Sequence, residues 1–248
     1  MTVVVGLGDS VSYGIGDAGT DYIGPSWSGR LAHSIGATHH RNYSYPGALS
    51  RHLTKIQVPA AIEARPDIVL MSVGGNDALR SSFCADRLSR EVRGATERLV
   101  DSGAQVVVLG LPDPMKSSPA PAFVRRVLSR RIAGVNLALD AATRGTGAVM
   151  MHTWTDPKAY VRAHWHVDRL HPSPIGYQHL AEKAMRMLGL EPVNEPMPVD
   201  DEGPNPTWWM LSHATVWFAK RSVDLLPGLV AMSIKERGPL PRFEPPSG

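Results

Sequence analysis

The chain has 248 residues, 43% hydrophobic and 20% charged, the composition of a globular protein with one large domain or one domain and an appendage. Its formal charge of +3 comes from arginines scattered along the chain rather than gathered in a stripe, which argues against nucleic acid as a partner and reads as solvated surface. Cys84 is the single cysteine, excluding an intrachain disulfide. No apolar run approaches the roughly 18 residues of a membrane span, and Met1 leads into a strand without a charged and apolar leader, so a cytoplasmic location is expected.

The first element is a short β-branched run, Thr2-Val3-Val4-Val5, continuing through Gly6-Leu7 to a tight exit at Gly8-Asp9-Ser10. Such an exit puts a serine hydroxyl at the carboxyl edge of a sheet, where open α/β sheets gather ligands. Asp9 is expected to brace the turn, and the glycine-rich Tyr13-Gly14-Ile15-Gly16-Asp17 to let backbone pass close to a bound group. Trp27, Leu31 and Ile35 then predict a helix stopped near Gly36, and Asn42 to Gly47 a short edge strand and turn. A helix begins at Leu49, Leu53 and Ile56 and is expected to be interrupted by Pro59.

Asp67 to Val73 is the next buried strand and runs into Gly74-Gly75-Asn76-Asp77. Leu88, Val92, Ala95 and Leu99 mark a helix closed by Gly103. Gln105 to Leu109 is a strand followed by a proline-rich loop, Pro112 to Pro121. A long helix buries Val124, Val127, Leu128, Ile132, Val135 and Leu139, and Ala148 to Met151 is the last strand. Strands alternating with helices predict an α/β fold with a parallel sheet of about five strands covered on both faces, in a doubly wound, flavodoxin-like order.

Near its end stands Asp168-Arg169-Leu170-His171-Pro172, with a helix starting at Ile175 behind it and carrying Leu180, Ala184 and Leu188. A carboxylate three residues before a histidine can bind one imidazole nitrogen and leave the other to take a serine proton. Asn76 and Gly47 are candidate oxyanion donors, the first through its amide and the second through a backbone N–H. Each part has a plain alternative: Asp168 as a turn cap, His171 as a surface histidine, Gly75-Asn76 and Pro46-Gly47 as ordinary turns. Their joint order is the informative observation.

These blocks, Gly8-Asp9-Ser10, Gly47, Gly74-x-Asn76-Asp77 and Asp168-x-x-His171-Pro172, make residues 2 to 188 resemble the SGNH hydrolases, the GDSL family of lipases and acylhydrolases. The resemblance implies a Ser10–His171–Asp168 triad and an oxyanion hole from the N–H groups of Ser10 and Gly47 with the Asn76 amide. It implies no cofactor and no metal. Val11 stands where the family name has leucine, a packing choice. The proline-rich linker and tryptophan-bearing tail look like those of actinobacterial members.

The chain therefore divides into a hydrolase domain over 1–190, a proline-rich acidic linker over 191–206, and an amphipathic helical tail over 207–248. The tail places Trp208, Leu211, Thr215, Phe218 and Ser222 on one face, followed by a second apolar stretch from Leu225 to Ile234. It is too small to fold alone, so it is expected to pack on the main domain or on another subunit as a homo-oligomer contact.

Other residues invite different readings. His164, His166 and Asp168 could share one strand face as metal ligands, but Asp168 has a better use beside His171. His33, His39 and His40 read as solvated surface. Cys84 reads as a small buried hydrophobe rather than a thioester nucleophile. Tyr13, Met115 and Phe123 would line an acyl pocket or fill core. The expected activity is a serine esterase or acylhydrolase on a small-molecule ester. The alternatives are an acyltransferase, a tailoring enzyme performing elimination or cyclisation at the same site, and a non-catalytic binding module.

Overall fold

The computed structural model describes residues 1–17, 23–117 and 121–199. The expected tail, and the linker beyond Val199, lie outside the described residues. Five parallel strands form one sheet in the order β2-β1-β3-β4-β5, with β1 spanning Val3–Gly8, β2 His39–Asn42, β3 Ile68–Ser72, β4 Gln105–Leu109 and β5 Val149–Met151. β1 pairs with β3 from Val4↔Ile68 to Gly8↔Ser72 and with β2 from Val3↔His39 to Gly6↔Asn42. The doubly wound order read from the alternation of elements is the one observed.

Strand side chains alternate between two faces, and the two cores follow that alternation. Val5, Leu7, Val69, Met71, Val106 and Val108 pack on one side. There they meet α3 (Ser50–His52) with the π-helical turn Leu53–Gln57, α4 (Val58–Glu63), α6 (Ala85–Asp101) and α7 (Ala122–Thr143), while α1 (Ser10–Tyr13), α2 (Ser26–Ser34) and α5 (Gly75–Ala78) complete the series before it. Val4, Ile68, Leu70, Val107, Leu109 and Met151 pack on the other side, against Trp27 and Leu31 of α2 and Tyr177 and Ala181 of α8 (Pro174–Leu188). Gly6 faces α2, where a Cβ would come within 2.6 Å of the Ser28 hydroxyl, so the missing side chain lets that helix close on the sheet.

Four local expectations are corrected. The edge strand is His39–Asn42 rather than the Tyr43 region, and all four of its residues are exposed. An edge strand with solvated side chains needs only backbone pairing, so no apolar run announces it. Pro59 does not interrupt its helix, because it falls at the start of α4, immediately after the π-helical turn. The wider turn shifts bonding to the fifth residue back, as in Val58 N–H to Leu53 O, and the Thr54 carbonyl accepts from Arg98 at 3.2 Å instead. Cys84 is exposed, not buried, as the N-cap residue of α6. Phe123 is likewise exposed, at 55%, so it fills no core.

Of the linker, Glu191 to Val199 is described, and it is laid along α2. The Val193 and Asn194 N–H groups donate to Ser34 O at 2.7 and 3.0 Å, and Asn194 Nδ2 donates to His33 O at 2.7 Å. His33, read as solvated, lies with Nε2 3.2 Å from Glu195 O. His40 Nε2 is 3.0 Å from the Ser28 hydroxyl. Among the described residues, no helix is long and apolar enough to cross a membrane.

Candidate active site

The end of β1 delivers Ser10. Gly8 has φ +120°, and a Cβ there would come within 1.8 Å of Ser72 O, so only glycine fits where β1 turns out against β3. The Asp9 N–H then donates to Ser72 O at 3.0 Å. The Asp9 carboxylate caps α1 by accepting from Val11 N at 3.1 Å and takes the Ser72 hydroxyl at 3.0 Å. Burial pushes the Asp9 carboxyl up to about 6, against the hydrogen bonds from Val11 and Ser72 that hold it down. The brace expected of Asp9 is present.

Behind this turn is a residue with no signal in the sequence. Gln57, buried on the π-helical turn, accepts from Gly8 N at 2.6 Å and donates Nε2 to Gly8 O at 2.9 Å. One side chain thereby satisfies both backbone groups of the residue two before Ser10.

Ser10 Oγ lies 2.8 Å from His171 Nε2, and His171 Nδ1 lies 2.7 Å from Asp168 Oδ2. The other carboxylate oxygen, Oδ1, accepts from Leu170 N at 2.9 Å and His171 N at 3.0 Å. The turn-cap reading and the imidazole-partner reading of Asp168 are therefore both satisfied, by different oxygens. Burial raises the Asp168 carboxyl, but hydrogen bonds from His166 and His171 and the His171 charge outweigh it, holding it well below the usual carboxylate range. An ionised carboxylate can only accept, which puts the hydrogen of His171 on Nδ1 and leaves the Nε2 lone pair facing the Ser10 hydroxyl.

The loop carrying His171 is fixed from several sides. His166 N donates to His171 O at 2.9 Å, and Ser173 caps α8 by accepting from Gly176 N at 3.2 Å. Tyr177 of α8 donates its hydroxyl to Ile15 O at 2.8 Å. Gly16, with φ +88°, abuts the same loop, since a Cβ would lie 2.6 Å from Pro172 O. The close approach expected of that glycine run is thus to the protein's own backbone.

Gly47 and Asn76 arrive from the neighbouring strands. Gly47 (φ +85°) lies in the turn closed by Ala48 N–H to Tyr45 O at 3.2 Å, and the Tyr45 N–H donates to Gly8 O at 3.2 Å. Asn76 sits on α5 just past β3, after Gly74, whose φ of +106° and 2.6 Å approach of a Cβ to Val135 Cγ1 leave room only for hydrogen. Asn76 Nδ2 donates to Ala48 O at 3.2 Å, so the amide and the Gly47 turn are in direct contact.

The strand face proposed for His164, His166 and Asp168 does not exist. Arg162–His164 is a 3-10 turn, His164 stacks at a tilt on His179 with centroids 5.2 Å apart, and His166 instead flanks Asp168, with Nδ1 3.5 Å from Oδ2. Among the described residues no group of three or more histidine, cysteine or acidic side chains is placed to hold a metal. Tyr13 and Met115 are half-buried.

A doubly wound sheet whose first strand ends in a serine facing a histidine–carboxylate pair has the layout of a serine hydrolase. The profile of the GDSL-like lipase/acylhydrolase family matches residues 7–179, and the chain belongs to that family of serine hydrolases acting on ester bonds. No curated protein matches the sequence. Among solved structures, the lipase Lip_vut3 from a goat rumen metagenome is similar with a TM-score of 0.61 at 20% identity, over 77% of this chain and 99% of its own. Axe2, an acetylxylan esterase from Geobacillus stearothermophilus, gives 0.59 at 17% identity, over 77% and 95%. TesA gives 0.57 at 22% identity, over 76% and 98%. At such identities the likeness is one of fold.

Proposed function

We propose that the protein is a serine esterase or acylhydrolase that cleaves a carboxylic ester of a small molecule through an acyl-enzyme. Ser10 is the nucleophile, His171 the general base and acid, and Asp168 the group that fixes the imidazole. The observation that carries this reading is the continuous chain from Ser10 Oγ through His171 to Asp168, at 2.8 and 2.7 Å.

Ser10 Oγ attacks the ester carbonyl carbon as its proton passes to His171 Nε2, and the carbonyl oxygen becomes an oxyanion. The N–H groups of Ser10 and Gly47 and the Asn76 amide donate to that oxygen. Collapse breaks the bond to the alkoxy group, which leaves as the alcohol with the proton from His171. Water then gives its proton to Nε2 and adds to the acyl carbon, and the reverse proton transfer releases the acid and restores Ser10. Asp168 stays ionised throughout and stabilises the imidazolium in each half-reaction.

The test is labelling with a fluorophosphonate, followed by turnover of aryl esters of graded acyl length. Wild type should label once and Ser10→Ala should neither label nor turn over. Unchanged turnover in Ser10→Ala would remove the nucleophile assignment. An unlabelled wild type would point to a binding module. Products formed in excess alcohol separate hydrolysis from acyl transfer.

A further inference from the structure

Two of the three oxyanion donors stand on separate elements, Gly47 in the loop between β2 and α3 and Asn76 on α5. A donor works only when it meets the developing oxyanion at about 2.7–3.1 Å, and a misplacement of about 1 Å can cost roughly 10² in rate. The sheet does not set their separation, because both lie beyond the last paired residues of their strands. The front of the Gly47 loop is tied to β1 through Tyr45 N–H and Gly8 O.

Its back is tied by Ser50, which is only 2% exposed. The Ser50 N–H donates to Asp77 Oδ2 at 3.1 Å, its hydroxyl is 2.7 Å from Asp77 Oδ1, and the same hydroxyl meets Glu91 Oε2 of α6. Asp77 is the residue after Asn76, and the Asn76 amide itself reaches Ala48 O. Bonds at Ala48 and Ser50 therefore bind the Gly47 loop to α5 on both sides of the Asn76–Asp77 peptide, with α6 as backing.

A hydroxyl has one hydrogen to donate, so Ser50 cannot donate to two carboxylates. Its Oγ lies against both carboxyl groups, donating to one and held beside the other. Burial pushes the Asp77 carboxyl up, the Ser50 hydrogen bonds oppose this, and the Glu91 charge adds to the rise.

We propose that Ser50, gripped between the Asp77 and Glu91 carboxyls, is the positioning residue that holds the Gly47 N–H and the Asn76 amide at one fixed separation. This role rests on the reading of Ser10, Gly47 and Asn76 as the oxyanion donors. Ser50 touches no reacting atom, and it acts through the two elements it joins.

Ser50→Ala deletes the hydroxyl and keeps the N–H. With p-nitrophenyl acetate, kcat is expected to fall about 10- to 100-fold while KM moves less than about 2-fold. Affinity for phenylboronic acid, whose boron takes the Ser10 oxygen to form a tetrahedral anion, should fall by a comparable factor, because that anion uses the same donors. Ser50→Thr, which retains the hydroxyl, should recover most of both losses. Unchanged kcat and boronate affinity in Ser50→Ala would overturn the role. So would a kcat loss that vanishes well below the melting temperature, since it would report unfolding alone. Should Ser50→Ala not fold, Glu91→Ala takes its place, with a joint fall of kcat and boronate affinity expected and no change overturning the role. Ser10→Ala and Asn76→Ala run beside these. If neither lowers turnover, the reading of the site has failed and the role of Ser50 with it. If both do and the Ser50 variant does not, only the role of Ser50 has failed.

Discussion

At the scale of single residues, charge and tautomer are set by burial and by who can donate. Asp168→Asn would place an amide where Oδ2 now accepts from His171 Nδ1. An amide N–H facing Nδ1 favours the Nε2–H tautomer, which cannot take a proton from Ser10, so kcat should fall by about 10³–10⁴. An unchanged kcat with an activated ester would mean that another group orients His171. Because the Asp168 carboxyl is held below its unfolded range, its contribution to stability is present above that range and is lost as pH falls through it. Asp9 has the opposite sign. Its folded value of about 6 lies above its unfolded value, so its contribution is complete below about pH 4 and is lost as pH rises through about 6. Asp9→Asn keeps an oxygen for Val11 N and the Ser72 hydroxyl, so it should remove that decline and gain up to about 3 kcal/mol above pH 7. Urea midpoints measured from pH 4 to 8 decide it, and parallel curves for the two proteins would refute it. Ser10, Asp168 and His171 were legible because a strand exit and a three-residue spacing are linear patterns. Gln57, Ser50 and Glu91 were not, because a buried polar residue paired 49 or 41 positions away looks in sequence like any solvated one.

At the scale of elements, what could be read depended on whether an element announces itself through burial. β1, β3 and β4 are apolar on both faces, as central parallel strands must be, and Leu88, Val92, Ala95 and Leu99 gave α6 its period. β2 carries His39, His40, Arg41 and Asn42, so its place on the sheet rests on backbone pairing with β1 and on polar bonds from His40 to Ser28 and from Asn42 to Ser12 rather than on apolar burial. The π-helical turn escaped for a related reason: Pro59 signals a break, and the sequence holds no sign that one extra residue in the preceding turn would absorb it. That turn matters because it aims Gln57 at Gly8. Gln57→Leu conserves bulk but removes both bonds to Gly8, whose N–H is paired with Gln57 Oε1 in the buried interior. The unsatisfied group should cost about 1–3 kcal/mol, read as a lower urea midpoint with an unchanged slope. Because Gly8 leads into Asp9 and Ser10, kcat should fall as well. A variant as stable as wild type would show that water suffices for the Gly8 N–H.

At the scale of the whole molecule, the described part of the linker acts as a strap across α2 rather than as a free tether. Its path runs from Ser34 and His33, through the bonds to Val193, Asn194 and Glu195, to Arg30, whose Nη1 is 3.5 Å from Met197 O. Arg30 is buried and ion-paired with Asp17 at 2.7 Å, and Asp17 closes the glycine loop by donating its N–H to Gly14 O at 3.2 Å. The same loop bears Ile15, which takes the Tyr177 hydroxyl, and Gly16, which abuts the His171 loop. The strap thus touches a chain of contacts that ends beside the candidate base. Two truncations separate its contribution from that of the segment beyond it. A chain ending at Leu190 loses the strap, and a chain ending at Val199 keeps it. The lost bonds are partly solvated and worth about 0.5–1 kcal/mol each, so the shorter chain should melt about 5–10 °C below the longer one. Its kcat should drop only a few-fold, because Asp17 and Arg30 keep each other. Any further difference between the Val199 chain and the full chain measures what residues 200–248 contribute. Equal melting temperatures for the two truncated chains would show that the strap adds nothing to the stability of the domain.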